Sequence, residues 1–197
     1  GHKFLKRIPT AGLDEKGKPR NVKGICASVP LNRVFITTPK TMMAVDLISE
    51  KVLWEKSYEG GCDRMAISPD GKTIYVPSFE SDHWTVVDGS SGKVIEKIVT
   101  KSGAHNTIYG PGGKHVYMAG LKSPYLFVSA TADHSIAKRV GPFSASIRPF
   151  TVNANEKWVQ RSLSTGRSYA ELGPLVARIG LDTVDQVPEH PAPTALA

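Results

Sequence analysis

A unit of about 42 residues recurs along the chain, and that recurrence constrains the fold more than any other feature. Ser68-Pro69-Asp70-Gly71-Lys72-Thr73-Ile74-Tyr75-Val76 lines up with Gly110-Pro111-Gly112-Gly113-Lys114-His115-Val116-Tyr117-Met118 at a shift of 42. A further 42 lands on Val152 to Val159, and a backward shift of about 40 lands on Val29 to Ile36. The second half of each unit repeats as well. Val45-Asp46 precedes Lys51-Val52, Val87-Asp88 precedes Lys93-Val94, and the third copy reads Ser129-Ala130 before Ser135-Ile136.

Each unit translates into strands joined by tight turns. Asp70-Gly71 is a hairpin signal, because Gly tolerates positive φ and Asp bonds back to its own turn. Thr73 to Val76 and Trp84 to Asp88 are rich in β-branched and aromatic residues. Lys93 to Ile98 alternates apolar and polar, as a half-buried outer strand should. Four strands in about 42 residues make one blade of a β-propeller. A lone blade cannot bury both faces of its sheet, so blades must stack side by side around an axis. The expected fold is all-β, a β-propeller with about four four-stranded blades, and Ile67, Ile74, Val86 and Ile95 are the expected interblade core.

The Ser-Pro-Asp-Gly-Lys-x-Ile-Tyr-Val run, followed by Val-Val-Asp and Gly-Lys-Val, resembles the YVTN-type bacterial β-propeller repeat over roughly residues 24–160. Proteins of that type usually close with seven blades and often work outside the cytoplasm, so the resemblance implies a partial propeller and an extracytoplasmic (periplasmic or secreted) setting. It implies nothing specific about chemistry, since propellers host many functions.

Units begin near 24, 63, 105 and 147. The expected organisation is a basic leading segment (1–23), propeller blades (24–160), and a diverged last blade with a Pro-rich tail (161–197) expected to be disordered. The chain opens on Gly1-His2 with no Met and no apolar leader, as a processed chain or a fragment would. A partial propeller should leave the faces of its terminal blades open, which points to self-association or a partner chain.

Net charge is +7. Residues 1–23 hold seven basic residues against Asp14 and Glu15, so most of the excess lies in the leading segment and the body is nearly neutral. That distribution, and the lack of interleaved aromatic platforms, argues against a nucleic-acid partner. The segment reads as a solvated arm, with phosphate binding as the alternative. No apolar run is long enough to span a membrane. Cys26 and Cys62 are the two cysteines, either bridged or both buried thiols.

Propellers bind ligands near the axis, where the innermost strands begin. The repeat places Asp63 opposite His105, and Arg64 opposite Asn106 and then Arg148, with Lys23-Gly24 at the corresponding place in the first unit. Gly61 and Gly103 just before would let the backbone turn sharply. Two arginines suit a carboxylate or other small anion, because a guanidinium fork binds oxygens bidentately. Asp63 with His105 suits an acid/base pair or two metal ligands. The competing account of all five is a wall of interblade ion pairs. Glu80-x-Asp82-His83 is a second cluster of metal-capable groups, expected in a solvated loop, and His115 and His134 are expected to be structural.

No phosphate loop, nucleophile elbow, zinc helix or CxxCH haem motif occurs. The expected function is therefore a non-enzymatic binding or scaffold propeller for a small anion or a peptide, with no cofactor assigned. The alternatives are a lactonase-like or redox-cofactor enzyme, for which a second carboxylate at an equivalent position is missing, and a surface interaction protein.

Overall fold

Fifteen strands and no helix make up the described part of a computed structural model, which describes residues 2–4, 6–8, 11–143, 146–147, 150–162 and 176–180. Blade 1 is β1 (Gly24–Ser28), β2 (Arg33–Thr37), β3 (Thr41–Asp46) and β4 (Val52–Ser57). Blade 2 is β5 (Ala66–Ile67), β6 (Thr73–Pro77), β7 (His83–Asp88) and β8 (Val94–Val99). Blade 3 is β9 (Ala104–Tyr109), β10 (His115–Gly120), β11 (Leu126–Ala130) and β12 (Ile136–Val140). A fourth sheet holds β13 (Phe150–Val152), β14 (Trp158–Ser162) and β15 (Val176–Gly180). Each sheet is an antiparallel meander in strict chain order. These are blades of a partial β-propeller.

One turn recurs at the start of every second strand. Asn32, Gly71, Gly113 and Glu156 each donate a backbone N–H to the carbonyl three residues back, and each has positive φ, between 51° and 76°. In the fourth sheet this turn falls one residue later than a 42-residue shift places it. Val159 therefore sits opposite Val152 as Val116 sits opposite Tyr109, and Val159, not Trp158, is the counterpart of Val116. A second turn joins the third and fourth strands. Asp46 and Asp88 accept bonds from Ser49 and Ser91 there. Blade 3 lacks that acid at Ala130, and Asp133 takes over by capping Ser135. A register shift follows Ala44, Val86 and Val128, at the same place in each blade.

Burial explains the choice of residues. Phe35, Met42 and Ala44 of blade 1 pack on Ile74, Val76 and Val87 of blade 2. The other face of blade 2, with Tyr75, Trp84 and Val86, packs on Val116 and Met118 of blade 3. Tyr117, Leu126 and Val128 then meet Phe150 and Val159. Middle strands are buried on both sides, so they read as apolar runs without alternation. Ile74 and Val86 are core as expected and Ile67 is half-buried against it, but Ile95 is 49% exposed. It lies on outermost β8, where the blade meets solvent.

Polar ties reinforce the stack. Blade 1 reaches the β7–β8 turn through Arg33 to the Ser90 carbonyl at 2.7 Å, Trp54 Nε1 to the same carbonyl at 3.1 Å, and Tyr58 to the Gly92 carbonyl at 2.8 Å. The repeated tyrosines do the same further on. Tyr75 Oη meets His134 Nδ1 at 2.7 Å, and Tyr117 Oη donates to Glu156 at 2.8 Å. Inner strands β1, β5, β9 and β13 lie beside one another in turn. The Pro-rich tail expected at 187–193 lies outside the described residues.

Two turn glycines share one φ but not one environment. Gly71 and Gly113 both have φ of 76°. A Cβ on Gly71 would come within 2.2 Å of Ser28 Oγ, whereas one on Gly113 would meet nothing within 4 Å. Gly113→Ala should therefore cost about 1–2 kcal/mol, the left-handed penalty alone. Gly71→Ala should cost clearly more, because the blade 1 turn must also move. Urea unfolding of both variants reads the difference, and equal losses would refute the steric part.

The turn acids set the acid limb of stability. Hydrogen bonds from the Ser49 N–H, the Ser68 hydroxyl, the Ser91 hydroxyl and the Ser135 N–H hold Asp46, Asp70, Asp88 and Asp133 below the usual value of 3.8. A lowered folded-state pKa contributes stability above the unfolded value, and that contribution is lost as pH falls through the folded one. Stability should therefore fall as pH drops below 3.8. Asp88→Asn keeps an acceptor but removes a titration, so its acid limb, followed by tryptophan fluorescence, should be shallower than wild type.

Candidate functional site

The innermost strands begin at one mouth of the blade array, and the repeat positions gather there. Gly24 opens β1 close against the Asp63–Arg64 backbone; a Cβ on it would lie 3.1 Å from the Asp63 carbonyl oxygen and from Arg64 Cα. Thr37 Oγ1 donates to that carbonyl at 2.8 Å, and the Asp63 N–H donates to the Pro77 carbonyl at 3.0 Å. Arg64 and Asn106 form a parallel bridge between blades 2 and 3. Gly61 and Gly103 have positive φ, as the sharp approach requires.

Four of the five expected residues come together. Asp63 and His105 are both buried, with His105 Nε2 3.6 Å from Asp63 Oδ2. The other ring nitrogen, Nδ1, bonds Asn106 Oδ1. Arg64 Nη1 donates to the same oxygen at 3.4 Å. A guanidinium only donates, so the Asn106 atom it shares with His105 is the amide oxygen, and Nδ1 carries a proton. The Nε2–Oδ2 contact is then favourable when a second proton lies between imidazole and carboxylate. Burial raises the Asp63 pKa, opposed by His105, then Arg64, then Lys23. Desolvation wins, and Asp63 holds its proton more tightly than a free aspartate. Arg148 lies outside the described residues; its neighbour Ile147 is buried between blades 3 and 4.

Lys23 and Phe79 complete the mouth. Lys23 Nζ lies 4.9 Å from the centre of the Phe79 ring, a cation–π contact. Phe79 was not legible as a site residue. It falls in the loop between β6 and β7, where the repeat has no fixed residue, and an aromatic in a loop is the one signal the sequence offers. Arg64 is the exposed cation of the group, and among the described residues its guanidinium makes one hydrogen bond, the long one to Asn106.

In the second cluster Glu80 and Asp82 lie exposed in the β6–β7 loop as expected, but His83 does not. His83 begins β7 and is buried, and among the described residues its Nε2 has no partner. Burial and then Lys97 lower its pKa, with Glu59 opposing, so it is neutral at neutral pH. Among the described residues no three His, Cys, Asp or Glu side chains come together as a metal ion would require. His115 faces Glu156 at 3.6 Å, and His134 accepts or donates to Tyr75. Cys26 and Cys62 are free thiols on the same core cluster, each pushed up to about 12 by burial.

No protein-family model matches the chain, and no curated protein matches it. Solved structures do: 1069 chains resemble it, a breadth that speaks for the fold and not for one chemistry. One of them is Kuenenia stuttgartiensis hydrazine synthase, with 21% sequence identity, 92% of this chain covered and a TM-score of 0.71. The chain spans 49% of that structure's length. The likeness supports the propeller fold. Among the described residues no helix is long and apolar enough to cross a membrane.

The buried pair gives a pH signature opposite to that of the turn acids. A raised Asp63 pKa stabilises the fold below the unfolded value near 3.8, and that contribution disappears as pH climbs through the folded value. Asp63→Asn cannot titrate. The stability of wild type relative to this variant should therefore be greatest below pH 3.8 and shrink as pH rises above it. Denaturant titrations across that range test it, and a pH-independent difference would remove the proton from the Asp63–His105 contact.

Proposed function

We propose that the protein is a non-enzymatic propeller module that binds a small carboxylate-bearing anion at the mouth formed by Lys23, Arg64, His105 and Asn106. The observation carrying this reading is the exposure of Arg64 while the nearby carboxylate is withdrawn. Asp63 is buried against His105, which leaves Arg64 exposed, with Lys23 half-buried over the Phe79 ring. Asn106 steadies the guanidinium from one side, leaving donors for an incoming carboxylate. Arg148, the fifth residue expected there, would add a second guanidinium. The YVTN-type resemblance and an extracytoplasmic setting belong to the same proposal. A lactonase-like centre draws no support from the arrangement, because the Asp63 carboxylate is committed to His105. The redox reading draws none from a neighbour at 21% identity.

Calorimetric titration with succinate and with inorganic phosphate tests this proposal. Arg64→Ala should weaken succinate binding about ten-fold or more, the value of a charge-assisted bidentate contact. Arg64→Lys should fall between, since an ammonium cannot form the fork. Lys51→Ala, distant from the mouth, should bind as wild type does. Equal losses in Arg64→Ala and Lys51→Ala, or no binding by wild type at millimolar anion, would refute the assignment.

A further inference from the structure

The outer face of blade 1 has the character of an interblade face. Val34, Ile36, Met43 and Val45 form a cluster of their own on the side turned away from blade 2. Their registers are Val34 opposite Val45 and Ile36 opposite Met43. One blade on, Ile74 opposite Val87 and Val76 opposite Thr85 hold the same places. There, blade 1 covers the apolar members with Phe35, Met42 and Ala44. The repeat thus builds on blade 1 a surface shaped to receive a preceding blade. The expectation of an open terminal face is not met here, because Ile36, Met43 and Val45 are all buried.

The leading segment approaches this same face at two points. Residues 12–20 form a tight hairpin, with Leu13 bridged to Pro19 and Asp14 capping the N–H groups of Lys16 and Lys18. Arg20 leaves this hairpin to bond both oxygens of Glu55, one of them at 3.2 Å. Thr41 Oγ1 donates to Glu55 at 2.6 Å. Glu55 lies directly opposite Met43 in the β3–β4 ladder, so the two share a face. Beyond the other end of the ladder, Lys6 pairs with Glu50. Arg20 and Glu55 shift each other's titration as partners do, Glu55 downward and Arg20 upward. Lys6 and Arg20 thus meet acids at the two ends of blade 1, while most of the described residues of 1–23 are exposed, as a solvated arm would be. The fit is not tight: a cleft of about 460 Å³ lies between Leu13, Asp14 and Arg20 on one side and Thr38, Pro39 and Thr41 on the other.

We propose that the leading segment, anchored by Arg20 on Glu55 and Thr41 and by Lys6 on Glu50, is a separable cap that occupies the interblade face of blade 1 in place of a preceding blade. Three ion pairs, the exposed Lys40–Glu15 contact among them, and a loosely seated hairpin hold it, whereas the blade beneath has its own hydrogen-bonded ladder and its own core with blade 2. The cap can therefore leave without unfolding the blade.

Adjacent methionines report on the two faces separately. Met43 shares a face with Glu55, the anchor of Arg20, and Met42 lies between blades 1 and 2. The full chain is treated with hydrogen peroxide, and sulfoxide formation at each residue is resolved by fragment-ion mass spectrometry. In Arg20→Ala and in Glu55→Gln, oxidation of Met43 should rise about ten-fold while Met42 stays protected. The charge-swapped pair, Arg20→Glu with Glu55→Arg, should restore protection of Met43. An unchanged Met43 rate in both single variants would overturn the proposal. So would a parallel rise at Met42 and Met43, because the blade and not the cap would then be opening.

Discussion

Burial of each blade by its neighbours is the constraint on which the molecule depends. A four-stranded sheet with two apolar faces is unstable in water, and here blade 2 is made dry by blade 1 on one side and blade 3 on the other. Middle strands pay in composition for that position: Met42 to Val45 and Trp84 to Val87 carry almost nothing polar. Outermost strands escape it, and Val94, Ile95 and Val99 stand in solvent beside Glu96 and Lys97. The polar atoms that stacking would strand are met at the turns, where Ser90 and Gly92 carbonyls accept from Arg33, Trp54 and Tyr58. Stacking and turn chemistry are therefore one design, since the turn that reverses a blade also offers acceptors to the blade before it.

The same stacking creates the mouth. Inner strands of successive blades must approach closely, and Gly24 does so by having no side chain where Asp63 and Arg64 pass. That approach buries Asp63, and a buried carboxylate needs a partner, which the next blade supplies as His105. Asn106 then links imidazole to guanidinium through one oxygen. The electrostatics of the mouth follow from sheet geometry: one acid is drawn inward and the adjacent arginine is left outside.

Much of this is legible in the amino-acid sequence. Pro69-Asp70-Gly71-Lys72 marks a turn through chemistry local to four residues, and Tyr75 and Tyr117 repeat because each bonds the following blade. That Asp63 and His105, and Arg64 and Asn106, hold equivalent places at one mouth followed from spacing, but not which of them touch. What escaped depends on partners distant in sequence. Ile95 is apolar yet sits on an edge strand, and nothing in its own neighbourhood says which face is outer. The one-residue lengthening before Val159 has no flanking signal. Asp133 replaces the missing acid at Ala130 from a different turn position. Arg20 looks like one more charge in a basic arm until Glu55 is placed beside Met43. Phe79 stands in a loop that the repeat leaves free to vary.

Variation among the blades separates the positions that hold the stack from those at the mouth. Positions that reverse the chain or fill the interblade space keep their chemistry from unit to unit: positive φ at Gly71 and Gly113, acid at Asp46 and Asp88, aromatic rings at Phe35, Tyr75 and Tyr117. At the mouth the units diverge instead. The first offers Lys23-Gly24, the second Asp63-Arg64, the third His105-Asn106. A residue needed only to hold blades together would be expected to recur, because every junction poses the same packing problem. Asp63 and His105 solve a problem posed at one junction, and Arg64 is held by a neighbour yet remains exposed. Different side chains converging on one opening give it a direction and a charge that identical units could not, as the proposed anion site would need.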